Sequence, residues 1–389
     1  MSRALEGIRV LDFSAMIAGP YCTRLLADVG AEVIKLEPPE GDYMRGRPPL
    51  REGRSLYFGV LNCGKRSVGI DLKKPAAVAL AKELAGKCDV VVENFRPGVM
   101  QRLGLGYDAL AAVNPRLVYC SISGYGQSGK HASLPAYAPI VQADSGYDLA
   151  NLGYQHGLER PLNTGIFTAD YLTGVHAFGA ICAALVRRAR SGEGERIDCA
   201  LMDSMVGMLA YEVAEAQQPV ARPRLLYQAT RAKDGFLVLA PITQANFDAM
   251  ARAAGHPEWI SDARFADAAA RAANWDALMT ELDCWAAGKS VSECEATMAA
   301  GGVPCSRYRT VAEVMASPYA AERGLFATVQ DGDGEIRATN PPFKMAGAES
   351  GVRVPGLGEH GPAVVAQVLG RSPQELARLV AEGALCRPA

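Results

Sequence analysis

The chain has few of the residues that bind metal ions, and its cysteines are not arranged in pairs. Its 389 residues include five histidines and ten cysteines, and no two cysteines stand at Cys-x-x-Cys spacing. Several cysteines lie within apolar runs such as residues 117–120, which is typical of small buried hydrophobic residues in a reducing compartment. The sequence therefore predicts no metal site and no disulfide framework.

The chain also lacks a strong net charge and a long apolar run. Its formal net charge at pH 7 is −2, so it has no excess of basic residues for binding nucleic acid or an anionic membrane. Residues 1–7 do not form the apolar core of a signal peptide, and we find no run of about eighteen apolar residues. These absences predict a cytoplasmic protein with neither nucleic acid nor a membrane as its partner.

The first 125 residues alternate short strand patterns, rich in Val and Ile, with helical patterns. The strand patterns lie at residues 8–13, 32–36, 67–70, 89–92 and 117–122, and the helical patterns include residues 21–28 and 75–87. This alternation predicts an α/β fold with a mostly parallel sheet that helices cover on both faces. Ligands of such sheets bind beyond the carboxyl ends of the strands, so we expect the chemistry in the loops there.

The length of the chain predicts about two domains. Residues 1–217 form the α/β domain, and the polar, proline-bearing segment 218–223 is typical of a linker. Residues 225–328 contain several short Ala-rich helical patterns and all three tryptophans, which predicts a smaller, mainly helical domain. Residues 329–389 form a C-terminal part that ends in a helix, and a capping box at 372–375 marks the start of that helix.

A glycine-rich segment after the fifth strand pattern resembles two nucleotide-binding motifs, but its context fits neither. Residues 124–130 read GYGQSGK, which matches G-x-G-x-x-G and most of a P-loop. A P-loop needs Ser or Thr after its lysine, and His131 stands there. A dinucleotide fingerprint opens an apolar helix, whereas Pro135 follows here. We therefore interpret the segment as a flexible loop over a ligand.

Basic side chains accompany two of the predicted strands. Lys65, Arg66 and Lys73 lie around the third strand, and Arg96 and Arg102 follow the fourth. One such cation is typical of a solvated surface residue. Taken together, the five predict a site for a polyanionic ligand.

Residues 168–174, TADYLTG, lead into a helical pattern that runs from Tyr171 to Arg187. Asp170 stands at the predicted N-terminus, where unpaired backbone N–H groups and the helix dipole favour an anion. The residues alone leave two interpretations open. Asp170 is a helix cap, which the spacing favours, or it is a carboxylate nucleophile that stays ionised while it is screened from water.

Motifs spread over nearly the whole chain resemble the class III coenzyme A transferases, the formyl-CoA transferase or CaiB/BaiF type. They are GIRVLDF (7–13), AGP (18–20), GAEVIKLE (30–37), NxxKRS (62–67), VENFRPG (92–98), SGYG (123–126), QAxSG (142–146), ADYxxG (169–174), GxG (192–194), GVPC (302–305), PFK (342–344) and LGEH (357–360). As an ordered set, these motifs are highly specific.

The resemblance implies a Rossmann-like large domain built from both chain ends, a small domain, and a homodimer of two interlocked subunits. It also implies that Asp170 is the nucleophile, with helix capping as a compatible second role. Asp170 would attack an acyl-CoA to form an aspartyl anhydride, and CoA would return to form an aspartyl-CoA thioester. A small carboxylic acid would then accept the CoA through a second anhydride, with no permanently bound cofactor and no metal.

Ten positions match family residues that contact CoA. They are Ala18, Ile70, Asp71, Leu72, Lys73, Asn94, Phe95, Arg96, Arg102 and Tyr137. The chain also departs from formyl-CoA transferase, which has a His at Ala15, a Gln at Ile17 and a CoA-contacting Arg at Pro38. No glycine-rich flap stands between residues 220 and 270. Oxalate with formyl-CoA is therefore not the expected substrate pair.

The family also includes α-methylacyl-CoA racemases, which need a His within a Gly-His-Asp motif to move the α-proton. Tyr137 occupies that position here, so racemisation is disfavoured. The family suggests succinyl-CoA or a similar dicarboxylyl-CoA as donor, and a C5 dicarboxylate such as itaconate, mesaconate or citramalate as acceptor. Intramolecular transfer within one dicarboxylyl-CoA stays open, because the residue pattern does not select among these substrates.

Overall fold

The structure is a computed structural model, and it describes residues 2–155, 157–162, 164–218, 227–241 and 243–387. The strands are β1 (Arg9–Asp12), β2 (Glu32–Glu37), β3 (Leu50–Arg51), β4 (Arg54–Ser55), β5 (Arg66–Gly69), β6 (Val90–Glu93), β7 (Val118–Ser123), β8 (Glu195–Ala200), β9 (Ala229–Arg231), β10 (Phe236–Leu239), β11 (Cys305–Arg307), β12 (Phe326–Asp331) and β13 (Gly334–Thr339).

The helices of the first half are α1 (Ala18–Asp28), α2 (Leu56–Asn62), α3 (Pro75–Ala85), α4 (Val99–Arg102), α5 (Tyr107–Ala111), α6 (Ala138–Asp144), α7 (Tyr147–Gly153), α8 (Thr168–Ser191), α9 (Leu201–Met208) and α10 (Ala210–Gln217). Those of the second half are α11 (Gln244–Ala254), α12 (Ala268–Ala273), α13 (Trp275–Ala286), α14 (Val291–Ala300), α15 (Val311–Ala316), α16 (Pro318–Arg323), α17 (Gly361–Leu369) and α18 (Pro373–Ala381). Short 3-10 helices lie at Tyr43–Gly46 and Pro257–Ile260.

Six strands form one parallel sheet in the order β5-β2-β1-β6-β7-β8. The chain builds the sheet outward from β1 to one edge, then returns and builds from β6 to the other edge. The strand order therefore reverses between β1 and β6. The predicted α/β fold with a parallel sheet is confirmed.

Each face of the sheet carries its own hydrophobic core, because successive side chains of a strand point to opposite faces. Leu11 and Val91 belong to one core, which α3, α5 and the C-terminal α17 and α18 cover. Val10 and Val90 belong to the other core, which α1, α6, α8 and α9 cover. Helices thus lie on both faces, as the strand–helix alternation predicted.

The chain divides into two compact units, one made of Met1–Gln217 with Ala321–Ala389 and one made of Gln218–Ala320. In the second unit, β9 and β10 form an antiparallel hairpin, and β11 pairs with β10. Its core includes Trp259 and Trp285. The six-stranded sheet lies entirely in the first unit.

One helix differs from its prediction. The helix predicted at 171–187 is α8, which begins three residues earlier at Thr168 and ends at Ser191, before the left-handed Gly192 with φ 78°. After β8, α9 and α10 are separate helices, because the chain leaves the helical conformation at Leu209. Gly192 fits its role because glycine adopts positive φ without a steric penalty.

Helix α8 spans 24 residues and is longer than the predicted helix at 171–187. Among the described residues it is the one helix whose length and hydropathy would suffice to cross a membrane. Ala177 and Ile181 on its inner face are fully buried in the core against the sheet. The other face is open: 39% of the apolar 18-residue window is buried, and Val175 and Val186 are exposed.

Candidate active site

The site lies at the carboxyl end of the sheet, where the strand order reverses between β1 and β6. An open parallel sheet leaves a crevice for a ligand at such a point. Asn94 lies directly after β6, and its side chain connects the ends of β6 and β1 by hydrogen bonds to the backbone of Ala15. Its Oδ1 accepts from the Ala15 N–H at 2.9 Å, and its Nδ2 donates to the Ala15 oxygen at 2.7 Å. Asn94 therefore fixes the loop that leads from β1 into α1.

That loop holds its backbone in unusual conformations. Met16 has φ 67°, a left-handed conformation that costs a non-glycine residue about 1–2 kcal/mol. Gly19 packs so closely on Ser14 that an added Cβ would lie 2.2 Å from the Ser14 Cβ. Such strain collects where a protein positions ligand-binding groups, and here it fixes the start of α1.

Asp170 lies beside the N-terminus of α1. It is the third residue of α8, and the backbone N–H of Ala18, the first residue of α1, donates a hydrogen bond to its carboxylate. The N-terminus of α1 has unpaired N–H groups and a positive dipole end, which favour an anion. The carboxylate is therefore partly buried and also stabilised by another helix.

The interpretation of Asp170 as the cap of its own helix is wrong. The residue before α8 is Phe167, which has no capping side chain, and Asp170 lies inside the first turn. The backbone N–H group that binds its carboxylate belongs to α1. A cap must precede the first helical residue, so Asp170 is free for a different role.

Burial raises the pKa of Asp170 to about 6, and the hydrogen bond from the Ala18 N–H opposes that rise. The carboxylate is still largely ionised near neutral pH. A carboxylate with a raised pKa and a reduced water shell is a stronger nucleophile than one on the open surface. The position of Asp170 thus meets the chemical requirement for attack on an activated acyl group.

The contact between α8 and α1 brings Asp170 to this position. Gly174, one turn after Asp170, lies against the first turn of α1, and an added Cβ would be 2.7 Å from the Ala18 oxygen. A larger residue cannot occupy this point unless the helices move apart. Gly174, which the ADYxxG motif includes, therefore sets the distance between the two helices.

Two tyrosines near Asp170 were not predicted from the sequence. The Tyr171 hydroxyl donates to the Tyr57 hydroxyl at 3.1 Å, and the Tyr21 ring packs edge-on against Tyr171 at 4.9 Å between centroids. Burial raises the pKa of Tyr57 and of Tyr171, and the charge of Asp170 adds to both shifts. Tyr171 follows Asp170 in sequence, but no local signal indicates Tyr57.

A buried ion network supports the first turns of α1. Lys65 is 3% exposed, and its Nζ donates to Asp12, the Pro20 oxygen, Thr23 and Asn62 at 2.7–3.1 Å. Burial opposes ionisation of Asp12, yet the positive charge of Lys65 helps to lower its pKa to about 2. Burial lowers the pKa of Lys65 to about 8, and Asp12 opposes that shift.

The prediction that Lys65 and Arg66 belong to a polyanion site at strand ends is wrong. Lys65 is enclosed by the network below α1, and Arg66 is the first residue of β5, at the opposite end of the sheet from the site. Arg66 forms an ion pair with Glu32 at the start of β2 at 2.6 Å. A lysine or arginine next to a strand has the same sequence pattern whether it faces solvent or a buried carboxylate.

The segment Ile70–Lys73 follows β5, two strands away from β1. The side chain of Ile70 is 1% exposed in the core, and Leu72 packs against the same core. Asp71 accepts from the backbone N–H of Lys73 at 3.1 Å, and the Lys73 side chain is exposed. The side chain of Ile70 is therefore not available to a ligand, whereas that of Lys73 is.

The other predicted CoA contacts follow β6 or precede α6. Phe95 follows Asn94 and is partly buried, whereas the side chains of Arg96 and Arg102 are exposed. Tyr137 precedes α6 and is 65% exposed. The structure brings Ala18 and Asp170 into contact, and Asn94 reaches the same loop through Ala15. It does not bring the segment after β5 to that point of the sheet.

The glycine-rich segment 124–130 opens no helix, since the next helix, α6, begins at Ala138. Gly126 and Gly129 have φ near 84°, at 85° and 83°, which is backbone that favours glycine. The segment is a loop at the carboxyl end of β7, as predicted, and its context differs from that of a dinucleotide fingerprint.

The sheet order and the carboxylate at its reversal point define a doubly wound α/β protein with a ligand site at the switch point. The family described as CoA-transferase family III matches residues 5–361. The chain therefore belongs to this family and is a class III CoA-transferase, an enzyme that acts on CoA thioesters and carboxylic acids. The resemblance predicted from the sequence motifs is confirmed.

Curated relatives match over nearly their full length. The succinate–glutarate CoA-transferase of Agrobacterium fabrum is 35% identical over 94% of this chain and 95% of its own. The succinyl-CoA–D-citramalate CoA-transferase of Chloroflexus aurantiacus is 33% identical over 98% of both. Among solved structures, a CaiB/BaiF family protein from Brucella suis has a TM-score of 0.85 and 33% identity, and covers 95% of this chain and 100% of its own.

Proposed function

We propose that this enzyme transfers coenzyme A from a dicarboxylyl-CoA to a second carboxylic acid through covalent intermediates on Asp170. The observation that carries the proposal is the partly buried Asp170 carboxylate, held by the Ala18 N–H at the N-terminus of α1. A nucleophile of this kind divides one difficult exchange into easier acyl transfers.

The reaction starts when an Asp170 oxygen attacks the thioester carbonyl of the donor. The C–S bond breaks, CoA leaves as a thiolate, and an anhydride joins Asp170 to the donor acyl group. The thiolate then attacks the Asp170 carbonyl carbon, releases the donor carboxylate and leaves an aspartyl-CoA thioester. The α1 N-terminus stabilises the negative charge that develops on oxygen in these steps.

The acceptor completes the cycle by the reverse chemistry. Its carboxylate attacks the aspartyl thioester, which forms a second anhydride and releases the thiolate again. The thiolate attacks the acceptor carbonyl, so the acceptor leaves as a CoA thioester and Asp170 is a carboxylate once more. No net proton is taken up or released, and no redox partner is needed.

We propose succinyl-CoA as the donor and a C5 dicarboxylate as the acceptor. The relatives from Agrobacterium fabrum and Chloroflexus aurantiacus are named for the pairs succinate with glutarate and succinyl-CoA with D-citramalate. Both acceptor acids have five carbons. The departures at Ala15, Ile17 and Pro38 argue against formyl-CoA with oxalate. The ten CoA contacts predicted above, from Ala18 to Tyr137, belong to this proposal.

The proposal also covers the assembly and its setting. We propose an interlocked homodimer in the cytoplasm, with CoA as a substrate and no permanently bound cofactor. The large domain is formed by residues 1–217 with the C-terminal part from 329, and the small domain by residues 225–328. The family resemblance supports the homodimer and the two-domain layout, whereas the boundaries and the location rest on the composition of the sequence.

The covalent step is tested by intact-mass spectrometry of the protein mixed with succinyl-CoA. The wild type is expected to gain the mass of CoA less one water, and the Asp170→Asn variant to gain nothing and to lose turnover. Asp108→Asn, an exposed aspartate in the first turn of α5, is the matched control and should behave as wild type. An adduct or turnover in Asp170→Asn contradicts the mechanism.

The substrates are tested with a matrix of CoA donors against carboxylate acceptors in D₂O. A transferase forms new thioesters only when an acceptor is present. Exchange of the α-proton without any acceptor would instead identify a racemase. Conversion of one dicarboxylyl-CoA into its regioisomer without a second acid would identify intramolecular transfer.

A further inference from the structure

Three polar side chains form a row across the carboxyl end of the sheet. Glu93, the last residue of β6, is opposite Ser121 of β7, and Ser121 is opposite Asp198 of β8. Cross-strand partners project from the same face of a sheet. This face is opposite to the one that α1 and Asp170 occupy, because Val92, next to Glu93, belongs to the core under α1.

Each end of the row holds the backbone of a loop. The Glu93 Oε2 accepts from the Phe95 N–H at 2.9 Å, in the loop after β6. The Asp198 Oδ2 accepts from the Gln127 N–H at 2.8 Å, in the glycine-rich loop after β7. Ser121, between them, forms a hydrogen bond with Glu93 and lies opposite Asp198 in the strand register. Glu93 and Asp198 thus each hold one of two neighbouring loops.

One of the two loops carries proposed CoA contacts, and the other lies at the end of the neighbouring strand. The loop after β6 carries Asn94, Phe95 and Arg96, which are proposed CoA contacts. The loop after β7 carries the exposed Lys130 and is the glycine-rich segment to which the proposed reaction gives no role. A shift of either backbone would move cationic side chains that are suited to the phosphates of CoA.

Burial disfavours the charged form of Glu93, whose side chain is only 4% exposed. Burial raises its pKa to about 7; the hydrogen bonds from Ser121 and Phe95 oppose the rise, Asp198 adds to it and Arg196 opposes it. Tyr119 and Cys120 of β7 also interact electrostatically with Glu93, whose charge helps to raise the pKa of each. Because the folded pKa exceeds the ordinary value of 4.5, the stability that Glu93 contributes in acid is lost as pH rises through about 7.

We propose that Glu93 and Asp198, on either side of Ser121 in the strand register, are positioning residues that fix the 94–98 and 124–130 loops for binding acyl-CoA. The inference rests on the proposed function, since it assigns these loops to CoA. The ionised Glu93 accepts the Phe95 N–H more strongly than a neutral side chain does. Affinity for CoA therefore falls as Glu93 becomes protonated.

The test compares Glu93→Gln with wild type by calorimetric titration with CoA. The variant is expected to bind CoA about tenfold more weakly at pH 8, which corresponds to the loss of one charge-assisted hydrogen bond. Wild-type affinity is expected to fall from pH 8 to pH 6, whereas the variant's affinity stays constant. Its thermal unfolding midpoint at pH 8 is expected to equal or exceed that of wild type, because no buried charge remains.

A merely structural role gives a different pattern. Glu93→Gln would then unfold at a lower temperature and bind CoA as wild type does once folded, which would overturn the inference. Ser121→Ala is the second variant if Glu93→Gln does not fold, and it should weaken CoA binding several-fold. Unchanged binding in Ser121→Ala would equally overturn the inference.

Glu32→Gln is the matched control. Glu32 is a carboxylate at the other end of the same sheet, where it pairs with Arg9 and Arg66, and its replacement should leave the dissociation constant for CoA unchanged. Weaker binding in this control to the same extent would overturn the assignment of the effect to the row. If wild type itself binds no CoA, the proposed function fails; if wild type binds and Glu93→Gln binds equally, only the present inference fails.

Discussion

Asp170 carries two opposing effects on one carboxylate. Burial disfavours its charge, whereas the Ala18 N–H and the N-terminus of α1 favour it. The result is a carboxylate with a pKa of about 6, more basic than a surface aspartate and still ionised above pH 7. A nucleophile benefits from this balance because it is charged but only weakly solvated.

The pH dependence of activity should reveal this balance. We expect kcat/KM to rise with pH through about 6, because only the ionised Asp170 attacks the thioester. The measurement is a kcat/KM profile between pH 5 and pH 9 with a saturating acceptor, repeated with Glu93→Gln. The variant should retain the rise near pH 6, and a profile that is flat below pH 7 would contradict the assignment.

The same shift predicts a stability effect with a defined sign. The folded pKa of Asp170 lies above the ordinary 3.8, so its contribution to stability is complete below about pH 4 and is lost as pH rises through 6. Asp170→Asn should therefore be more stable than wild type at pH 8, by up to about 3 kcal/mol. Urea unfolding at pH 8 and pH 4 measures this, and a variant less stable than wild type at pH 8 would contradict it.

Residue-level predictions of position were accurate where the signal was local. Asp170 lies in the first turn of α8, which was predictable because the motif around it is continuous in sequence. Lys65 was misassigned because its partner Asp12 is 53 positions earlier, and nothing near Lys65 indicates a buried ion pair. Tyr57 was missed for the same reason, since its hydrogen-bond partner is 114 positions away.

At the scale of elements, the close contact of α1 and α8 decides where Asp170 lies. Gly174→Ala places a methyl group 2.7 Å from the Ala18 oxygen, so the helices must separate and the Asp170 carboxylate moves from its hydrogen-bond donor. We expect kcat to fall about 100-fold, the effect of a displacement near 1 Å. Overpacking should also lower stability by about 1–3 kcal/mol. Steady-state kinetics and urea unfolding measure the two effects.

Gly179→Ala on the same helix is the control for this change. Gly179 is exposed, and no atom lies within 4 Å of its added Cβ, so the variant should keep full activity and gain up to about 1 kcal/mol from helix propensity. If Gly174→Ala retained wild-type kcat, the helix contact would not be what positions the carboxylate.

Element boundaries were less predictable than element types. Five of the six strands of the sheet were indicated by short runs rich in Val and Ile, because a strand buried on both faces has that composition. The edge strand β8 is only partly buried and lacks it. The start of α8 was placed three residues late, since Phe167 precedes the helix without a capping side chain. Its geometry depends on contacts with α1, which no local pattern contains.

At the scale of the whole molecule, the chain returns after the second unit and completes the first. Arg24 on α1 connects these distant parts. Its guanidinium pairs with Asp28 at 2.6 Å and donates to the Thr339 oxygen at 3.0 Å and the Ser350 Oγ at 2.7 Å. The C-terminal segment is thereby attached to the helix whose N-terminus holds Asp170. The composition shift near residue 220 indicated two domains, but these long-range bonds were invisible in the sequence.

Arg24→Met should therefore destabilise the protein strongly. The variant leaves the Asp28 carboxylate, which is 1% exposed, buried without its cation, and removing one partner of a buried pair costs about 3–5 kcal/mol. Burial already raises the pKa of Asp28 to about 6, so the penalty should shrink as pH falls and the carboxyl takes up a proton. Urea unfolding at pH 8 and pH 5 measures both effects.

Arg378→Met is the matched control. It removes the pair between Arg378 and Glu382, which has the same i, i+4 spacing but lies on an exposed helix face, and it should cause no measurable change in stability. Equal losses in the two variants would show that the buried Arg24 pair does not attach the C-terminal segment.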